Sequence, residues 1–231
     1  ADTPVLSNLS FTAKPGEMTA IIGGTGSGKS TVLDLIPRFY DPQSGRITLD
    51  GVDIRDLTQT ELRSYLGYVP QQAVLFSGTI ESNIRGGKQS ATDEEVAEAA
   101  RVAQAIEFIE EREEGYDSYI AQGGTNVSGG QKQRLSIARA VVRQPQVYLL
   151  DDTFSALDYK TDAKLRTELA KSAKDSTVIV VAQRVSTILH ADQIIVLEDG
   201  KVAGRGTHAE LLANCEVYKE IVASQYGEEA V

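Results

Sequence analysis

The sequence predicts an α/β fold: a mostly parallel sheet with crossover helices, an antiparallel β portion and an inserted α-helical lobe. Three observations predict it. Short apolar runs rich in β-branched residues recur at ITL (47–49), VYLL (147–150), TVIVVA (177–182) and QIIVL (193–197), with helical patterns between several of them. Asp50-Gly51 and Asp199-Gly200 follow strands and read as tight turns, the second joining QIIVL to KVAGRG as a hairpin. Residues 85–142 have another texture, with few strand-like runs and the strongly helix-forming stretch EEVAEAARVAQAIEFIEERE. The expected division is an α/β core lobe from residues 1–84 and 143–231, with a helical lobe between them, within one domain of 231 residues.

Helix starts follow from capping chemistry. Thr58 with Glu61, and Thr92 with Glu95, have the Thr-x-x-Glu spacing that satisfies the free N–H groups at a helix beginning. Composition narrows the class further. Hydrophobic content of 41% and charged content of 24% are ordinary for a globular chain. A formal net charge of −10 argues against a protein that coats nucleic acid or anionic membrane, both of which reward clustered Lys and Arg. A local phosphate pocket stays possible, because backbone N–H groups and one lysine build it. The single cysteine, Cys215, permits no internal disulfide, points to a reducing compartment, and reads as a small packed side chain. The apolar runs are too short to span a bilayer, and no secretory signal opens the sequence, so the expectation is a soluble chain.

Residues 21–31 read IIGGTGSGKST, in which Gly23, Gly24, Thr25, Gly26, Ser27, Gly28, Lys29 and Ser30 fit G-x-x-x-x-G-K-[ST] without a mismatch. An apolar strand precedes the motif and a helical run, TVLDLI, follows from Thr31. Glycines let the backbone curl so that successive N–H groups face a phosphate chain at the positive end of a helix. Lys29 adds a point charge for the terminal phosphates, and the Ser30 hydroxyl is a ligand for Mg²⁺. A phosphate loop of this kind needs an acid at the end of a second strand to hold the metal. VYLLDDTFSALD (147–158) supplies it: Asp151 takes that role, and Asp152 then stands where a carboxylate activates the attacking water.

VSGGQKQRLSIAR (127–139), taken with GGTGSGKS, VYLLDD and SALD in this order and spacing, resembles the ATPase domain of ATP-binding cassette (ABC) transporters. LFSGTIESNIRGG (75–87) and GRGTHAELL (204–212) bring it nearest to bacterial multidrug exporters. The resemblance covers essentially the whole chain. It implies a P-loop NTPase core, ATP and Mg²⁺ as ligands, a membrane-domain partner, and a place at the cytoplasmic face of the cell membrane. Gln71, in GYVPQQ, matches the loop glutamine that contacts Mg²⁺ or the attacking water. Ser128, Gly129, Gly130 and Gln131 match the signature, which closes over the ATP held by a second ATPase domain in a head-to-tail pair. Asp158 matches an interface loop near the opposing nucleotide. Ser128 also reads as an ordinary helix cap, and the two roles use one geometry.

Two departures bear on catalysis. Most hydrolytically competent members carry Glu where this chain has Asp152, and His where it has Gln183 in VVAQRVST. Asp is shorter by about 1 Å, and a misplacement of that size at a reacting centre costs about 100-fold in rate. Glutamine hydrogen-bonds a γ-phosphate but cannot become cationic as histidine does. Gln122, in IAQGGTN, stands where many homodimeric exporters have Glu. The pattern resembles the degenerate-site subunit of heterodimeric exporters: a chain that binds ATP, hydrolyses it slowly and lends a sound signature to a partner with Glu and His. His190 and His208 read as structural. The adenine-stacking aromatic of the family lies upstream of Val5, which leaves Val5 and the loop near Tyr40 to offer apolar contact. The membrane domain's coupling helix is expected near Tyr68 to Phe76. The alternatives left open are a homodimeric exporter domain using Asp152 as its catalytic carboxylate, a soluble ABC-type machine of DNA repair or translation, and an ATP-gated module without turnover.

Overall fold

The computed structural model describes residues 3–230. They form two compact units, one of residues 3–66 with 177–230 and one of residues 67–176. The first holds β1 (Met18–Gly23), α1 (Lys29–Leu35), β2 (Thr48–Leu49), β3 (Val52–Asp53) and α2 (Gln59–Ser64), with the seam falling at the start of β4 (Leu66–Val69). The second continues through β5 (Gly78–Thr79), α3 (Ile80–Arg85), α4 (Asp93–Val102), α5 (Ile106–Glu110), β6 (Tyr119–Ile120), α6 (Gly129–Val141), β7 (Val147–Asp151) and α7 (Tyr159–Ser172). The chain then returns to the first unit with β8 (Thr177–Val181), β9 (Gln193–Glu198), β10 (Lys201–Gly206), α8 (His208–Asn214) and α9 (Glu216–Tyr226).

The first unit is built on the order β10-β9-β1-β8. β1 pairs in parallel with both β8 and β9, with Ile21 opposite Val181 on one side and Ile195 on the other. Parallel strands are covered on both faces, so they read as unbroken apolar runs; Ala20, Ile21, Ile22 and Ile194–Leu197 are all buried. β10 joins antiparallel to β9 and alternates exposed and half-buried residues, as a half-solvated edge should. Its turn is the expected one: Asp199 and Gly200 both have positive φ, 49° and 76°.

ITL does not join this sheet. Only Thr48 and Leu49 are extended, and they pair antiparallel with Val52 and Asp53 across the Asp50-Gly51 turn. Two residues flanked by a tight turn bury too little for a core strand, and neither Thr48 nor Leu49 is buried. In the second unit, β7 is buried along its whole length beside β4.

The caps differ in completeness. Thr92 accepts from the Glu95 N–H while the Glu95 carboxylate accepts from the Thr92 N–H, a full reciprocal box. At α2 only the first half forms, the Glu61 N–H donating to Thr58 Oγ1 at 3.1 Å. The long helical run from 94 to 113 is not one helix. It breaks between α4 and α5 at Gln104, whose φ is +59°. There the Ala105 N–H donates to Ala100 O and the Gln104 N–H to Arg101 O, a closing pattern that normally uses Gly.

Candidate functional site

The residues of the phosphate loop lie in the first unit, at the exit of its central strand. Gly23 ends β1 opposite Leu197, and the loop turns into α1 at Gly28. Gly28 has φ +98°, where an L side chain is strained, and a Cβ there would also press on the Leu6 side chain at 2.6 Å. The loop is braced from behind by the Asp199-Gly200 turn: the Gly200 N–H donates to Ser27 O at 3.1 Å, and the Ser7 N–H donates to Gly200 O at 2.8 Å. Ser27 is buried; Thr25 and Ser30 are exposed, and Thr31 is half-buried.

The inner side of this loop suits a phosphate chain. A Cβ on Gly24 or Gly26 would meet nothing within 4 Å, so the backbone faces open space. The Lys29 ammonium reaches back across the loop to Gly24 O at 3.0 Å, a contact that a phosphate oxygen outbids by charge. Val5 and Tyr40, the residues expected to offer apolar contact to a base, are 60% and 65% exposed.

Gln183 follows β8 by two residues and is exposed. Its backbone is not loose. The Gln225 side chain, from α9, donates from Nε2 to Gln183 O at 2.6 Å and accepts from the Val185 N–H at 2.8 Å.

The second unit carries the acids and the signature. Asp151 closes β7 and is buried. Asp152 sits in the left-handed region with φ +45°, where Asp is among the better tolerated side chains. This backbone twist ends the strand and turns the chain, with the Ser155 hydroxyl donating to Asp152 O at 3.1 Å. Gln71 and Asp152 are brought together: Gln71 Nε2 donates to Asp152 Oδ2 at 3.5 Å, the outer limit of a hydrogen bond. Within this unit Asp151 and Gln71 carry carboxylate and carboxamide oxygens, and in the first unit Ser30 carries a hydroxyl; each is a hard donor type of the kind Mg²⁺ takes.

Ser128 caps α6 as expected. The Gln131 N–H donates to Ser128 Oγ and the Ser128 N–H to Gln131 Oε1, both at 3.1 Å. The first turn of α6 rests on the loop after Asp152, since a Cβ on Gly130 would stand 3.3 Å from Ala156 O. Signature and SALD loop are therefore neighbours within one unit. Asp158 caps α7, accepting from the Thr161 N–H at 2.9 Å and the Thr161 hydroxyl at 2.7 Å. Those bonds hold its carboxyl below the usual carboxylate range.

Sequence reasoning missed the scaffold of the loop after Gln71. Asn83, nearly fully buried on α3, accepts from the Phe76 N–H and donates to Phe76 O, both at 2.9 Å. Arg139, from α6, donates to Val74 O at 2.8 Å and to Asn83 O and Oδ1 at 2.9 Å, while its guanidinium lies over the Phe76 ring. An Asn inside an apolar helical pattern was the available signal. Of the two histidines, His208 bonds Tyr218 through Nδ1 at 2.7 Å, a structural contact, and His190 is exposed.

A strand–glycine loop–helix phosphate motif, an acid-ended second strand and a Ser-capped signature helix define an ATP-binding domain of the P-loop class. The chain belongs to the ABC transporter family, whose model matches residues 6–155. It is 51% identical over 228 residues to an uncharacterized ABC transporter ATP-binding protein of Mycobacterium tuberculosis, covering 97% of this chain and 39% of that protein. A putative multidrug export ATP-binding/permease protein of Staphylococcus aureus is 44% identical over 224 residues, with 97% and 39% covered. Among solved structures, a bacterial Atm1-family ABC exporter with ATP bound matches with TM-score 0.93 and 43% identity over 96% of this chain and 39% of that one. The chain spans about 39% of the length of these relatives. No helix among the described residues is long and apolar enough to cross a membrane.

Proposed function

We propose that this chain is the nucleotide-binding domain of an ABC exporter, working at the cytoplasmic face of a membrane with a transmembrane domain. It holds ATP on Gly23–Thr31 with Val5 near the base, and Mg²⁺ through Ser30, Asp151 and Gln71. It pairs head to tail with a second ATPase domain, to whose nucleotide it presents Ser128, Gly129, Gly130 and Gln131, with Asp158 at the interface. Its own site hydrolyses slowly. We retain the lobe division at residues 85–142 as part of this reading. The observation that carries the proposal is a contrast within one sequence: a phosphate-loop motif complete from Gly23 to Ser30, in a chain with Asp at 152 and Gln at 183.

Asp152 supplies a carboxylate set back by about 1 Å, and Gln183 a neutral amide where a cation would meet charge developing on the γ-phosphate. The test is ATP turnover of the full chain with Mg²⁺. A rate well below about 1 s⁻¹ is expected, rising at least about tenfold in Asp152→Glu/Gln183→His. Turnover already above that rate refutes the slow site. Adding an ABC ATPase domain with intact Glu and His should restore fast hydrolysis, and Ser128→Ala in this chain should abolish the gain.

A second reading, a self-pairing exporter domain that uses Asp152 as its catalytic carboxylate, is favoured by one contact: Gln71 already reaches Asp152. Size measurement with Mg-ATP separates the two, because only this reading expects an active dimer of identical chains.

A further inference from the structure

The loop after β8 is held by a residue far away in sequence. We infer that Gln225 is a positioning residue for Gln183, fixing the backbone from which Gln183 meets the γ-phosphate. This rests on the reading of Gln183 given above.

The geometry is a two-point clamp. One carboxamide donates to Gln183 O and accepts from the Val185 N–H, so it grips the chain on both sides of Arg184. A primary amide is suited to this, because it carries a donor and an acceptor at fixed separation. Glutamate offers no donor, and leucine neither group. Both ends of the clamp are anchored. Val185 and Ile188 are fully buried at the far side of the loop, and Tyr218 and Val222 bury the inner face of α9. α9 also flanks the phosphate loop: Val217, Glu220, Ile221 and Ser224 line a cleft of ≈ 290 Å³ with Gly24, Thr25 and Ser27. One helix thus abuts the loop that binds phosphates and pins the loop that reads the last of them.

The physical effect is pre-organisation. Gln183 itself is exposed, so the starting point of its side chain is set by its backbone. Without the clamp, the segment would have to order when ATP binds, and the cost would fall on ATP alone, since ADP lacks the group Gln183 touches.

The experiment compares ATP and ADP affinities, with Mg²⁺, for the full chain and its Gln225→Glu, Gln225→Leu, Gln183→Ala and Gln183→Ala/Gln225→Leu variants. Gln225→Leu should lower the ATP-over-ADP preference about three- to tenfold, the worth of one or two lost hydrogen bonds, with ADP affinity unchanged. The double variant should fall no further than Gln183→Ala, because both changes remove one interaction. Amide exchange at Val185 should quicken in Gln225→Leu, which removes its acceptor. Gln225→Glu keeps that acceptor and the side-chain size but loses the donor to Gln183 O, and so tests the clamp through the ATP-over-ADP preference should the leucine variant not fold. An unchanged preference in both Gln225 variants, additive losses in the double variant, or unaltered exchange at Val185 in Gln225→Leu each overturns the inference. Failure of the wild-type chain to bind ADP or ATP would sink the functional reading instead, which keeps the two apart.

Discussion

Asn83 buries its amide between the chain at Phe76 and the guanidinium of Arg139, making bonds to Phe76 N, Phe76 O and Thr79 O while accepting from Arg139. Burial alone pushes Arg139 below its usual arginine value, and carbonyl oxygens satisfy it. Removing the hub strands several groups at once, so Asn83→Ala should cost about 2–4 kcal/mol in urea unfolding, with the greatest loss of amide protection in residues 74–76. Tyr148 and Tyr218 carry a pH prediction. Burial raises both to about 12 against an unfolded value of about 10. Their contribution is therefore complete below about pH 10 and is lost as pH climbs toward 12, because the unfolded chain releases those protons first. Denaturation midpoints measured from pH 8 to 12 should drop above 10, and Tyr148→Phe should flatten the fall.

Elements were legible where the signal was local. Thr92 and Ser128 announce helix starts through capping chemistry alone, and both close full boxes. Ser128→Ala should cost about 1 kcal/mol in thermal unfolding through the lost cap, apart from its proposed effect on a partner's site. The break at Gln104 was not legible, since Ala, Gln and Val-Ala stretches favour continuing a helix. It is decided by packing: Ala103 and Ala105 are fully buried, and Arg134 from α6 donates to Gln104 O at 3.0 Å. Gln104→Gly should raise stability by about 0.5 kcal/mol, the left-handed strain relieved less the entropy a glycine adds to the unfolded chain. ITL misled for a related reason, because an apolar triplet looks the same in a hairpin as in a core strand.

At the scale of the molecule, a net charge of −10 coexists with a pocket for a polyanion. The phosphate loop achieves this with backbone dipoles and a single ammonium, so it depends on Lys29 and Mg²⁺ more than on any surface patch. Mg-ATP at about 100 times its Kd should stabilise the chain by about 2.7 kcal/mol. Chelating Mg²⁺ should remove most of that shift in melting temperature, and Lys29→Ala should remove it whether or not the metal is present.

The sequence by itself determined the class of fold, the family and the chemical identity of nearly every residue proposed to meet ATP, because those signals are contiguous: a glycine spacing, an acid after an apolar run, a serine before a helix. Tertiary structure alone decided what holds those residues in place. Gln225 lies 42 positions from Gln183, and Arg139 lies 56 from Asn83. Hydrogen bonds over such separations leave no period or motif behind, since their partners become neighbours only after the chain has buried its apolar surface.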